Sequence, residues 1–457
     1  MAPDGLHKVG NTQEARDPVM PVQAKLAEKP IGLLEFARHA GRNMLEVIPI
    51  ETTRQTYLRG PLNIHYICDP EIVTELLVGK GRDFPKAKFT KDIIGSAVGN
   101  GLILSEGQKW KAQRRRYSPL FAARNLPMLS RHFAETGMEV ADSLAEGHGL
   151  VDAAQMAPAA TLTNISRVMF SGNEEVSAEE IRVGLRKYFE YITLISLFDL
   201  MGLPSWLPRQ KWFRSKQPVT GMRWLARQVI EERRNENRPE PLDFLDLMIA
   251  ALEDDFEDID TTVDNLLTFV VAGHETSANA FAWGVYLLAL HPDVQAEIRS
   301  EIRSVSPEAP ITYDDIQKMP LLRAHIRETL RLYPSAAFFA RDAGADLTVK
   351  DIRFEKGDAL FFPVYSLHRN TCLWEHPNLY RPERFLGAAI PRGQFIPFGD
   401  GPRVCIGAQY AETELMVLMA SVVRRIGFSL TATPVPRPVL TFTMRPGGPI
   451  ILNARPV

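Results

Sequence analysis

The segment that most constrains this chain is Phe398-Gly399-Asp400-Gly401-Pro402-Arg403-Val404-Cys405-Ile406-Gly407, followed at once by an amphipathic run over 408–426. Its two glycines permit a tight turn in which main-chain N–H groups point at one sulfur. The cysteine stands just before the predicted helix, where free N–H groups and the helix dipole favour a thiolate over a thiol. A hydrogen-bonded thiolate is a metal ligand. The competing reading is a small buried hydrophobe, the usual state of an isolated cysteine in an apolar run. A dinucleotide loop is excluded, because no third glycine follows at the required offset and no βαβ unit surrounds the segment.

The remaining two cysteines, Cys68 and Cys372, are too far from Cys405 and from each other to build a disulfide framework or space a zinc site. With 53 Lys+Arg against 55 Asp+Glu, the 457-residue chain has a net charge of −2, which gives no case for nucleic-acid binding. The N-terminus carries no apolar run resembling a signal peptide or anchor. The longest uncharged stretch, 276–292, is shorter than the roughly 20 apolar residues a span needs. A cytoplasmic protein without a membrane anchor is expected.

Helical periodicity occupies 125–146, 151–171, 179–200, 220–236, 257–290, 292–304 and 314–333, and 31–43 also reads as helix. Strand character is confined to 62–68, 337–349, 359–364 and 439–444. Asp69-Pro70 starts a helix. The fold class is therefore mainly α with a small β part. Residues 1–30 form a polar arm, and 31–457 a single large domain, with 235–241 as a loop or linker.

Three further motifs share one property, side chains that helical spacing brings to one face. Trp110 and Arg114 are four apart, so a ring N–H and a guanidinium can reach one carboxylate. Ala272-Gly273-His274-Glu275-Thr276 lies mid-helix. There Thr276 can turn its hydroxyl to the Ala272 carbonyl, Gly273 allows a close approach, and Phe269, Ala272 and Thr276 share a face. Glu328 and Arg331 are three apart, a spacing that alone describes a solvated surface pair.

FGDGPRVCIG resembles the haem-binding loop of the cytochrome P-450 family, F-G-x-G-x-R-x-C-x-G, at every fixed position. The other three motifs resemble that family's W-x-x-x-R, A-G-x-D/E-T and E-x-x-R, in the family's order, with Tyr380–Phe385 similar to its P-E-R-F region. The resemblance implies a haem-thiolate fold with a long central helix over haem b (iron protoporphyrin IX). By it Cys405 is the axial iron ligand in a loop that includes Phe398, Gly399 and Gly407. Trp110, Arg114, Arg403 and Arg341 are implied partners of the haem propionates. Ala272 and Gly273 lie against the haem, and Glu275 and Thr276 are the implied proton relay, acting with ordered water. Glu328, Arg331 and Arg384 form a structural cluster. Phe269, Ala272, Ala337 and Phe338 fall in substrate-contacting regions, largely apolar here, so a hydrophobic small molecule is expected. Lys86, Lys88 and Lys91 would suit a carboxylate, or form a solvated loop.

The implied reaction is insertion of one oxygen atom of O2 into a C–H bond. Electrons come from NAD(P)H through a separate ferredoxin and ferredoxin reductase, or a flavodoxin-type donor, because the segment after Cys405 is too short for a reductase domain. Lys109, Lys111 and Arg115 would meet an acidic partner, or water. The alternatives are a same-fold peroxygenase or isomerase without a redox partner, and a haem sensor or carrier. His368-Arg369-Asn370 and YRPERF resemble the fatty-acid-hydroxylase and microsomal-like branch, while the missing anchor favours a soluble bacterial type.

Overall fold

The computed structural model describes residues 19–32, 42–79, 84–87, 99–147, 149–170, 210–236, 243–253, 259–308, 310–387 and 389–457, with Glu35 and His39. Its α-helices are α1 (Pro70–Thr74), α2 (Gly107–Tyr117), α3 (Leu126–Glu146), α4 (Ala153–Phe170), α5 (Gln210–Asn235) and α6 (Phe244–Glu253). They continue with α7 (Ile259–Leu290), α8 (Pro292–Val305), α9 (Tyr313–Ile316), α10 (Pro320–Leu332), α11 (Val364–Leu367) and α12 (Ala408–Val423). The predicted 179–200 helix, about half of 31–43 and most of 235–241 lie outside the described residues.

Strands β1 (Tyr57–Arg59), β2 (Ile64–Ile67), β7 (Ala359–Phe362) and β4 (Phe339–Asp342) form one sheet in the order β1-β2-β7-β4, with only β2 and β7 parallel. A second sheet orders β3 (Leu150–Asp152), β11 (Ile451–Pro456) and β8 (Ile426–Leu430), while β5 (Leu347–Val349) pairs β6 (Ile352–Phe354) and β9 (Pro438–Leu440) pairs β10 (Met444–Pro446). The family of elements is mainly helical, as the periodicity predicts, with helix α7 at its centre against α4, α5, α8, α10, α12 and β8.

Local chemistry sets the boundaries. The Asp69 side chain accepts from the Glu71 and Ile72 N–H groups and Pro70 occupies the first helical position, so α1 starts where predicted. The predicted helix over 314–333 is two helices. Thr312 and Asp315 close a capping box on α9, and Pro320 restarts the chain as α10 because the residue before a proline is driven out of the α region. Likewise 439–444 is not one strand: Leu440 pairs Met444 across a tight hairpin, which puts Thr443 in its turn.

A continuous buried cluster runs from Met44 to Ala454, drawing on nearly every helix, and a smaller one lies under β2, β7 and α1. The polar arm is fastened over residues 22–27. Val22 N–H donates to Tyr286 Oη (3.0 Å), Tyr333 Oη donates to the Val22 carbonyl (2.7 Å) and Ala24 N–H donates to Tyr365 Oη (2.9 Å). Ala27 bridges Pro49. None of the described helices is long and apolar enough to cross a membrane.

Candidate functional site

Gly399 and Gly401 both sit at φ 72°, the left-handed region that side chains resist, and a Cβ on Gly401 would overlap the Leu77 carbonyl oxygen. That turn returns the chain so that Cys405 N–H donates to the Phe398 carbonyl (2.9 Å), two residues before Gly407 caps α12. The Gly407 N–H hydrogen-bonds the Cys405 sulfur. Burial pushes the thiol up, and the Gly407 N–H and the Arg114 guanidinium pull it back. Cys405 has accessible surface although protein encloses it on all sides. We read the two together as a sulfur whose accessible surface faces a gap inside the fold.

Three arginines converge on this loop. Arg114 Nη1 donates to the Val404 carbonyl (2.8 Å). Arg403 stacks its guanidinium 3.9 Å from the Trp110 ring, donates to the Ser105 carbonyl (2.8 Å) and pairs with Glu106. Among the described residues the Arg341 guanidinium donates only to its neighbour, the Ala340 carbonyl (3.0 Å), and is pushed down to about 10 by burial and then by Arg403, with Glu106 opposing. Arg114 and Arg403 repel in turn. Among the described residues Arg403 and Arg341 thus act on one carboxylate, Glu106, while Arg114 faces the Cys405 sulfur, an excess of partly or wholly buried positive charge that further carboxylates would correct. A haem carries two propionates. Its thiolate ligand, its acidic groups and an interior space are all matched by residues present here, so the site fits the cofactor. The Trp110 ring lies under the Arg403 guanidinium. Glu106 and Ser105, missed in the sequence, were signalled only by their position at the start of α2.

The opposite wall belongs to α7, which is buried from Thr262 to Val271 and again from Ser277 to Ala289. Burial lapses only at Ala272–Thr276, inside the molecule. Thr276 Oγ1 donates to the Ala272 carbonyl (2.7 Å), as its spacing predicts. Glu275 is raised by burial, with the Thr443 hydroxyl and Arg445 opposing; its Oε2 is buried without a partner. No hydrogen bond between Glu275 and Thr276 joins the two sides of the relay directly. His274 turns to Thr161 on α4 (3.1 Å) and is pushed down to about 4 by burial, so it is neutral at ordinary pH. Phe121, itself 3.5 Å from where a Gly407 Cβ would stand, packs on Phe269, which sets this stretch beside the cysteine loop.

Some expected pocket residues are placed differently. Phe269 is buried among Tyr117, Phe121 and Phe244 at centroid distances of 5.4, 5.3 and 5.7 Å, so it is aromatic core and not the pocket floor. The space beside Gly273 is filled by Ile165, and the close approach it allows is helix packing of α4 on α7. Ala337 is fully buried and its carbonyl accepts from Tyr365 N–H (2.9 Å), whereas Ala336 is exposed and Phe338, stacked on Phe361, half-buried. Ala337 stands just before β4, and its carbonyl bond from Tyr365 fixes it inside. Lys86 donates its ammonium to the Ile103 carbonyl, which takes it from the role of carboxylate attractor; Lys88 and Lys91 lie outside the described residues.

Behind the loop, Arg331 grips Glu328 with two 2.7 Å bonds, both side chains at 0% exposure, and reaches the carbonyls of His368, Pro377 and Leu379. Arg384 adds a looser 3.6 Å pair to Glu328. The surface-pair reading of this motif is therefore overturned.

Glu414, nine residues after Cys405, is a buried carboxyl pushed up to about 7 by burial, with Ser277 and Asn164 opposing. Asn164 Nδ2 donates to its Oε1 (3.0 Å); Oε2 has no partner. Between about pH 4.5 and 7 the folded chain keeps a proton that the unfolded chain has released, so stability falls as pH rises through that window. The loss is about 3 kcal/mol by the time the group is fully ionised. In urea unfolding, Glu414→Gln should remove this slope and exceed the parent chain in stability at about pH 8. An unchanged slope would contradict the assignment.

A family model described as Cytochrome P450 matches residues 55–453. Among curated proteins, the chain is 27% identical to a cytochrome P450 monooxygenase of Aspergillus fumigatus, over 86% of this chain and 78% of that protein. It is 29% identical to a cytokinin hydroxylase of Arabidopsis thaliana (83% and 77% covered) and 29% identical to cytochrome P450 4A12B of Mus musculus (85% and 80% covered). These relatives come from a fungus, a plant and a mammal, and lend the expected bacterial type no support.

Proposed function

The chain belongs to the cytochrome P450 family, an oxidoreductase family of haem-thiolate monooxygenases, and on that premise we propose that residues 31–457 act as one domain oxygenating a hydrophobic small molecule. The observation that carries the reading is the convergence of an enclosed, accessible Cys405 sulfur with three guanidiniums, one facing the sulfur and two sharing a single carboxylate. Haem b held there supplies activation of O2, and its thiolate ligand is the protein's main lever on that chemistry. Cys405 would hold the iron. Arg114, Arg341 and Arg403 would take the propionates, with Arg403 exchanging Glu106 for one of them and Trp110 supporting its face.

The chain's own residues manage protons and access. Thr276 keeps its hydroxyl on the Ala272 carbonyl, leaving the oxygen lone pairs to accept a hydrogen bond beside the interior space. Glu275, kept protonated more readily by burial, is the proton source at its unpartnered Oε2, with ordered water between it and Thr276. Ala336 and Phe338 border the substrate side and favour apolar molecules.

Electrons are supplied from outside. Lys109, Lys111 and Arg115 are exposed on α2, the helix that turns Arg114 inward to the cysteine loop, and would receive an acidic ferredoxin or flavodoxin-type donor reduced by NAD(P)H. NADH consumption with purified ferredoxin and reductase, substrate present, tests this. Turnover sustained by peroxide alone favours the peroxygenase alternative, and binding without turnover a haem carrier.

Thr276→Ala is expected to leave haem content unchanged while diverting most reducing equivalents to peroxide, a fall in product per NADH of about tenfold or more. Coupling that stays tight would remove Thr276 from the relay.

A further inference from the structure

Away from the cysteine loop, a cleft of about 220 Å³ opens under the N-terminal arm. Its lining includes Arg369, Arg54, Gln23, Asn378, Tyr365 and Leu26, none of them a residue of the site described above. Arg54 is exposed at its mouth, and Arg369 is 3% exposed at its inner end.

Arg369 and Arg331 are buried to a similar depth and lie near enough to repel one another, yet differ in how they are satisfied. Arg331 has its Nε, Nη1 and Nη2 all bonded to a carboxylate or to carbonyls. Arg369 has no partner among the described residues for Nε or Nη1, which are closed to solvent, or for Nη2, the nitrogen left open to an occupant of the cleft. Its guanidinium face is covered, with Tyr365 3.9 Å and Tyr333 5.8 Å from Cζ. Ring faces attract the charge but accept nothing from N–H groups in the guanidinium plane. The carboxylate that influences it, Glu328, is already gripped by Arg331. A buried cation in this condition calls for an anion.

We propose that this cleft is a binding site for a small oxyanion, a phosphate or a carboxylate, held by Arg369 at the inner end and Arg54 at the mouth. The amides of Gln23 and Asn378 offer neutral donors along the way, and Leu26 with the Tyr365 ring suits a short apolar body attached to the charged group. Because Gln23 and Leu26 belong to the arm, the occupant sits partly beneath residues 22–27, which three tyrosine hydroxyls already hold in place. The proposal does not depend on the monooxygenase reading.

The test is calorimetric titration of the haem-loaded full-length protein with inorganic phosphate and with acetate, each against chloride at equal ionic strength. Saturable binding of one or both is expected, the tighter of the two assigning the class. Arg369→Gln should weaken it about tenfold to a hundredfold, the effect of losing charge-assisted hydrogen bonds in a buried site. Arg54→Glu, a surface change that cannot unfold the core, should weaken it at least about tenfold by reversing charge at the mouth. It decides the matter alone if Arg369→Gln does not fold. No heat beyond chloride, or equal affinity in the parent chain and Arg54→Glu, overturns the site.

Discussion

Glu328→Ala should cost about 3–5 kcal/mol of stability, because it strands the Arg331 guanidinium at 0% exposure without its counter-charge. Arg331 would keep its bonds to the carbonyls of His368, Pro377 and Leu379, which satisfy donors but not charge. The main chain loses as well, since Arg381 N–H donates to Glu328 Oε1 (2.8 Å). Depth decides the magnitude. The Arg353–Asp346 pair, at 69% and 63% exposure and 3.8 Å apart, is the control: Arg353→Ala should change stability by no more than about 0.5 kcal/mol. Denaturant midpoints of the two variants check both figures. A Glu328→Ala loss below about 1 kcal/mol would mean that the cluster is not holding the segment behind the cysteine loop.

Cys405→Ala should abolish substrate oxygenation while leaving the fold intact. The loop's shape comes from Gly399, Gly401 and the bond from the residue-405 N–H to the Phe398 carbonyl, all of which alanine preserves. The sulfur itself opens onto the interior space, so its removal leaves little packing to lose, and thermal unfolding should move by no more than about 1 kcal/mol equivalent. What disappears is the thiolate that tunes the iron, and with it turnover. Retained oxygenation, or a collapse in stability comparable to Glu328→Ala, would show that Cys405 serves packing instead.

The chain carries its chemistry close together in sequence and its packing far apart, which explains what could be read in advance. The cysteine loop, the Thr276–Ala272 bond and the Glu328–Arg331 grip each rest on spacings of seven residues or fewer plus backbone rules, and each spacing appears as a contact. Periodicity gives a side chain's face but not its neighbour. Phe269 shares a face with Ala272 and Thr276 by arithmetic, yet Tyr117, Phe121 and Phe244 arrive from other elements and cover it. Ala337 and Phe338 differ in burial as alternation predicts, but they stand just before β4, and Ala337 is fixed inside by Tyr365, which donates to its carbonyl from about thirty residues on. Glu106 takes Arg403 from nearly three hundred positions upstream. Pro320, in contrast, announced a helix break that a periodic pattern over 314–333 concealed.

The central claim, that Cys405 is a thiolate ligand of haem iron, is tested most directly by the absorption spectrum of the reduced carbon monoxide complex. The haem-loaded parent protein should show the thiolate-type band, and Cys405→Ala should lack it. A parent spectrum of the imidazole-ligated type, or a thiolate band that survives the substitution, would contradict the account.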